Sequence, residues 1–242
     1  MIEGLKICEN ATRAPVGRCV AMAGTRLRYP KSVAVGPAGA VYIGCCRPGG
    51  LERFTFANGA LEPVWTAESG KVCGVAVKAD GTAYATVHDE DGPFVRVFDP
   101  DGTVLASWPR TSGRELLNPQ GIALDGTGRV YVAEANLWGG DSLTDRNRVV
   151  RLGVDGRVQA SWGEPGQDEG RLNLPVGIAV GPDGRVCVAD TYNCRVQLFE
   201  ADGRVISSLG ETGRDAGELN CPQDIALAAP RRLSVAETYN NR

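Results

Sequence analysis

A phrase of about forty residues recurs along this chain, and a period of that length restricts the fold more than any other feature of the sequence. The segments "PKSVAVGPAGAVYIG", "VCGVAVKADGTAYAT", "PQGIALDGTGRVYVA", "PVGIAVGPDGRVCVA" and "PQDIALAAPRRLSVA" begin at Pro30, Val72, Pro119, Pro175 and Pro222. Each holds two apolar or alternating runs around a Gly- or Asp-rich turn, which reads as a β-hairpin. Proline suits the first position of such a strand, where no ladder hydrogen bond is lost. After four of these hairpins comes a third strand, a second turn ("ANG", "DPDG", "GVDG", "EADG") and a fourth strand such as "RVISSLG". A four-stranded antiparallel unit at this spacing is a propeller blade: each twisted sheet buries its faces against its neighbours, and the ring leaves no long free edge. With 43% hydrophobic residues, 32 Gly and 14 Pro, the composition fits many short strands and tight turns, an all-β class.

The stretch "PVGIAVGPDGRVCVADTYNCRVQLFEADGRV" from Pro175 resembles the NHL repeat, the blade unit of a large propeller family. The resemblance covers nearly the whole chain. It is strongest from Leu117 onward and weakest in the first two repeats, where "CCRPGGLERF" and "VHDEDGPFVRVF" depart from the pattern. "LKICEN" and "VGRCVAMAG" align with the third and fourth strands of a blade, whereas the residues after Cys221 supply a first and a second strand. These complementary ends imply a composite blade that fastens a ring of five, with residues 1–242 as a single domain. The alternative is an open fragment of a six-bladed propeller, the number that the resemblance implies for most members.

The formal charge of −3 disfavours nucleic acid as a partner, because nucleic-acid binders carry a basic face. The first residues, "MIEGLKICENATRAPVG", show no basic segment followed by an apolar core, and no uncharged apolar run reaches membrane-spanning length. A cytoplasmic location follows as the expectation. The eight cysteines are scattered through a chain too large to need a disulfide scaffold, so reduced thiols are expected. Cys73 and Cys187 read as small hydrophobes inside strands, and the adjacent Cys45 and Cys46 lack the paired ligand clusters of a zinc site.

In this strand order the loops after the second strands and those joining consecutive blades emerge on one face, where ligands usually bind. Three features fall there. A carboxylate ends the second strand in the last three repeats, at Glu134, Asp190 and Glu237, and an arginine begins the third strand in the same repeats, at Arg148, Arg195 and Arg242. The repeats with Cys45 and Val87 at the carboxylate position have Leu51 and Phe94 at the arginine position. That co-occurrence predicts a carboxylate–arginine latch in which the planar guanidinium takes both oxygens. The alternative is that the three carboxylates ring a channel and hold Ca²⁺. The insertion "NLWGGDSLTDRN" carries Trp138, Asp141 and Arg146, and Trp138 there is a candidate anchor for a partner. "VHDEDG" holds His88, the single histidine, beside Asp89; with Arg47 these complete the candidate binding residues.

One histidine cannot build the histidine-rich zinc site of the peptide-amidating lyase branch of related propellers, and no serine-centred nucleophile elbow is present. The expected function is therefore a non-catalytic scaffold, without cofactor, that presents its loop face to a protein or peptide. The alternatives are a Ca²⁺-dependent propeller hydrolase or lactonase using the channel carboxylates, and an RNA-binding propeller.

Overall fold

The computed structural model describes residues 7–9, 18–20, 27, 29–47, 49–57, 60–108, 116–135, 147–228 and 232–240. The chain divides into two compact units, residues 1–92 with 96–107, and residues 93–95 with 108–242. Among the described residues every regular element longer than three residues is a strand. The strands β1 (Ile7–Glu9) and β2 (Arg18–Val20) pair antiparallel, with Cys8 opposite Cys19. Next come β3 (Pro30–Val35), β4 (Val41–Cys45), β5 (Gly50–Ala57) and β6 (Ala60–Ala67), hydrogen-bonded in that order. The strands β7 (Lys71–Val77), β8 (Ala83–Asp89), β9 (Gly92–Phe98) and β10 (Val104–Trp108) form a second four-stranded sheet of the same order.

A third and a fourth follow: β11 (Pro119–Leu124), β12 (Val130–Glu134), β13 (Arg148–Leu152) and β14 (Val158–Trp162), then β15 (Pro175–Val180), β16 (Val186–Asp190), β17 (Arg195–Phe199) and β18 (Val205–Leu209). The hairpin of β19 (Pro222–Ala228) and β20 (Arg232–Glu237) ends the order. Each expected four-strand repeat is thus a simple antiparallel blade. The partial repeats at the two ends form two-stranded hairpins among the described residues.

The second strand explains where the core lies. The strands β4, β12 and β16 read VYIGC, VYVAE and VCVAD, and all are buried over their whole length. A strand covered on both faces needs continuous rather than alternating apolar character. In the second unit one cluster joins Tyr131, Ala133 and Val149 of one blade to Ile178, Val186, Val188 and Phe199 of the next. Packing between successive sheets is therefore the core.

Two local devices recur. The first strand carries a bulge near its start: Lys31 lies between the paired Pro30 and Ser32, Cys73 between Val72 and Gly74, and Gln223 between Pro222 and Asp224. A bulge leaves one residue outside the ladder and re-aims its side chain. At the other end of the blades a fourth-strand tryptophan meets a turn glycine of the following blade. Trp65 meets Gly102, Trp108 meets Gly156 and Trp162 meets Gly203. Trp162 also lies between Tyr131 of its own blade and Phe199 of the next, with ring centroids 6.3 Å apart in each case.

Candidate functional site

At the end of β16 the Asp190 carboxylate is fully buried, with Arg195 14% exposed beside it. The two stand opposite each other in the β16–β17 register, and Arg195 Nε donates to Asp190 Oδ2 over 2.8 Å. The same oxygen accepts from Asn193 Nδ2 at 2.8 Å and Gln197 Nε2 at 3.0 Å, while Oδ1 accepts the backbone N–H of Asn173 at 2.6 Å. The guanidinium therefore takes one carboxylate oxygen and not both. Its Nη2 donates instead to the carbonyls of Asp168 and Arg171, at 2.7 and 3.0 Å. The physical reason is that the second oxygen is already filled by the strand-entry loop, whose own carbonyls need donors.

The preceding blade repeats the arrangement. Glu134 is fully buried, Arg148 Nε donates to its Oε2 at 2.6 Å, and its Oε1 accepts the backbone N–H of Leu117. In the last hairpin Glu237 Oε2 accepts from Asn220 N at 2.6 Å and from Asn240 Nδ2 at 2.7 Å; Arg242 lies outside the described residues. Each carboxylate thus ties the end of a second strand to the loop that enters the first strand of the same blade. That loop is strained in places. Leu174 and Cys221, each just before a proline, have φ of 49° and 52°, a left-handed conformation that non-glycine residues seldom adopt. Tyr29, before Pro30, has φ 54° although its blade carries Cys45 in place of a carboxylate, so the carboxylate is not what imposes the turn.

In that first blade the residue opposite Cys45 is Gly50, and Leu51 stands opposite Gly44. Leu51, aligned by sequence with the arginine position, is thus displaced by one, because the glycines of "RPGG" shift where β5 begins. Among the described residues no three His, Cys, Asp or Glu side chains gather closely enough to hold a metal ion. Glu134, Asp190 and Glu237 each face their own loop.

The other candidate residues are spread. Arg47 is exposed just beyond β4. His88 is half-buried opposite Lys71, and the exposed Asp89 accepts the Asp91 backbone N–H at 2.9 Å. Asp89 also lines an open cavity of about 360 Å³ with Gly49, Glu68, Ser69, Gly70 and Arg96. Trp138, Asp141 and Arg146 lie outside the described residues. Cys187 behaves as a strand hydrophobe, 5% exposed, and burial pushes its thiol up to about 11. Cys73 is buried too, yet it sits on a bulge and not in the ladder, and its thiol meets that of Cys46.

Sequence reasoning passed over two tyrosines. Tyr192, in the short 3-10 turn Thr191–Asn193, is 61% exposed, and Tyr239, in the equivalent turn after β20, is 64% exposed. Their turns are held firmly. Asn193 Nδ2 reaches the carbonyl of Gly166 at 2.9 Å and Asn240 Nδ2 that of Gly213 at 3.0 Å, and Thr191 Oγ1 donates to Pro222 O at 2.7 Å. The signal was the repeated phrase "TYN" itself.

Residues 172–199, from the entry loop through β17, match the NHL repeat family. That match spans one repeat of the chain. It is 34% identical over 83 residues to NHL repeat-containing protein 3 of Mus musculus, a match covering 34% of this chain and 22% of the mouse protein. The chain therefore spans about a fifth of the length of that relative. Among solved structures it resembles a chain of the Nidogen/Laminin complex, with TM-score 0.66 at 20% identity over 87% of this chain and 73% of that one. It also resembles streptogramin B lyase, with TM-score 0.57 at 17% identity over 81% of this chain and 58% of the other. At such identities the likeness shows the fold alone, a β-propeller of four-stranded blades.

Proposed function

We propose that the chain is a non-catalytic scaffold that presents the loops beside Asp190 and Glu237 to a protein or peptide. The observation that carries this reading is the pair of exposed tyrosines, Tyr192 and Tyr239, on turns pinned by partly buried hydrogen bonds. A rigid aromatic on a preorganised loop loses little entropy on binding, and tyrosine is enriched among the residues that dominate interfaces. The neighbouring loops carry both signs of charge: Arg171 pairs with Glu164 at 3.3 Å and Asp168 at 3.6 Å, and Glu218 with the Asp215 backbone at 2.9 Å. Mixed charge suits a protein surface better than a phosphate backbone. The resemblance to a chain of the Nidogen/Laminin complex is consistent with a propeller engaged by another protein. The carboxylates on which a Ca²⁺-dependent hydrolase would rest are already bonded to their own loops.

The test is affinity capture with the wild-type chain and with a Tyr192→Ala, Tyr239→Ala variant. Exposed side chains cost little stability, so the variant melts within a degree or two of wild type. The expected result is at least a roughly tenfold loss of affinity for the captured partner. Unchanged capture removes these tyrosines as anchors. Salt-sensitive binding of single-stranded RNA would replace the reading with the nucleic-acid one. A melting rise in Ca²⁺ that Glu134→Gln abolishes would replace it with the metal-dependent one.

A further inference from the structure

We propose that Cys46 and Cys73 form a redox-responsive thiol pair that exchanges with low-molecular-weight disulfides and closes into a disulfide bridging the first two four-stranded blades. The inference is independent of the binding role. Cys46 follows β4, where its backbone N–H is held by the carbonyl of Tyr29 at 3.0 Å, and its Sγ lies 3.6 Å from the carbonyl oxygen of Val72. Cys73 is the bulged residue of β7 in the next blade, and its thiol is in hydrogen-bond contact with Cys46. Lys31, the bulged residue of β3, hydrogen-bonds Cys73, and Lys31, Lys71 and Arg47 all bear on Cys46. Two bulges and one loop thus bring two thiols and three cations to one place. Cys46 is half-buried and reachable, whereas Cys73 is 7% exposed, the division of labour of an attacking and a resolving thiol.

The electrostatics follow from the geometry. The Cys73 thiol donates to Cys46 and, with the three cations, outweighs the cost of burial, bringing Cys46 down to about 6. Cys73, as that donor and as a buried group, is pushed far above the ordinary thiol range. Cys46 thiolate attacks one sulfur of a disulfide RSSR; a Cys46–SR bond forms, the RS–SR bond breaks, and RS⁻ leaves to take a proton from water. With the negative charge on Cys46 gone, Cys73 releases its proton to solvent beside Lys31. Its thiolate then attacks the Cys46 sulfur, forming the Cys46–Cys73 bond and expelling the second RS⁻. Two protein thiols lose two electrons, and RSSR gains them as two RSH.

The second unit supplies an internal control. Cys194, in the loop after β16, meets Cys221, just before β19, a second thiol contact between consecutive repeats at other positions, but there burial and the Cys194 thiol push Cys221 up. The experiment treats the intact, reduced chain with oxidised glutathione at pH 7, quenches with an alkylating agent and maps peptides by mass spectrometry. The expected product is a Cys46–Cys73 linked peptide. Alkylation of Cys46 is expected to be more than about 100-fold faster than that of Cys187, and Cys73→Ser to leave glutathione trapped on Cys46. The proposal is overturned if no Cys46–Cys73 link forms, if Cys46 alkylates as slowly as Cys187, or if Cys194–Cys221 links as readily.

Discussion

Arg195→Ala is expected to lower the stability of the second unit by about 3 kcal/mol, the lower end of the range for breaking a buried ion pair. The substitution leaves a fully buried Asp190 carboxylate facing the empty place of its cation, and it also strips the Asp168 and Arg171 carbonyls of a donor. The cost stays at the lower end because Asn193, Gln197 and the Asn173 backbone still donate to Asp190. In a chain of this length, a loss of that size moves a melting midpoint by about 6–12 °C. Asp190→Ala is expected to cost a similar amount, since it removes the acceptor of four donors at once. The double variant should then cost less than the sum by 1 kcal/mol or more, as about 0.5–3 kcal/mol of coupling is usual for residues in one network. The control is the Arg157–Asp155 pair, whose side chains are 82% and 55% exposed and whose loss should cost at most about 1 kcal/mol. Thermal or urea melts of the four chains decide the matter: additive costs at Asp190 and Arg195, or costs no larger than at Arg157, would show that the pair does not hold the loop.

The sequence carried the blades because a hairpin repeated at a fixed period needs few signals: a proline opening the first strand, a glycine turn, and an apolar second strand. It carried the pairing of Asp190 with Arg195 as well, since two residue types that appear and vanish together report a contact. It could not show that the second carboxylate oxygen belongs to Asn173, because a backbone N–H has no letter of its own. Backbone geometry hides the other differences too. A bulge takes Cys73 out of the ladder, although "KVCGVAV" reads as an unbroken strand, and a one-residue shift sets Gly50 and not Leu51 across from Cys45. Tyr192 and Tyr239 were visible in the sequence only as letters of the repeated phrase. Only their exposure separates them from the phrase around them.

Gly203→Ala is expected to be as damaging as loss of the ion pair, about 3 kcal/mol, although it adds a single methyl group. An ideal Cβ at Gly203 lies 2.5 Å from Trp162 Cγ, and φ there is +94°, where an L side chain is strained. Overpacking costs about 1–3 kcal/mol and backbone strain about 1–3 kcal/mol. Gly184 separates the two effects, because its φ is +81° but nothing lies within 4 Å of the added carbon. Gly184→Ala should therefore show the conformational cost alone, and the difference between the two variants measures the approach of Trp162. Trp162→Ala by itself is expected to lose about 3 kcal/mol, because the ring is packed against Tyr131 and Phe199 of two successive blades. Combining it with Gly203→Ala should then cost clearly less than the sum, as the methyl enters the space that the indole leaves. Equal costs at Gly203 and Gly184, or strict additivity with Trp162→Ala, would mean that the tryptophan only rests on the turn. A large excess at Gly203 would locate the coupling between successive blades at this end of the sheets, where every described fourth-strand tryptophan closes on a glycine of the following blade.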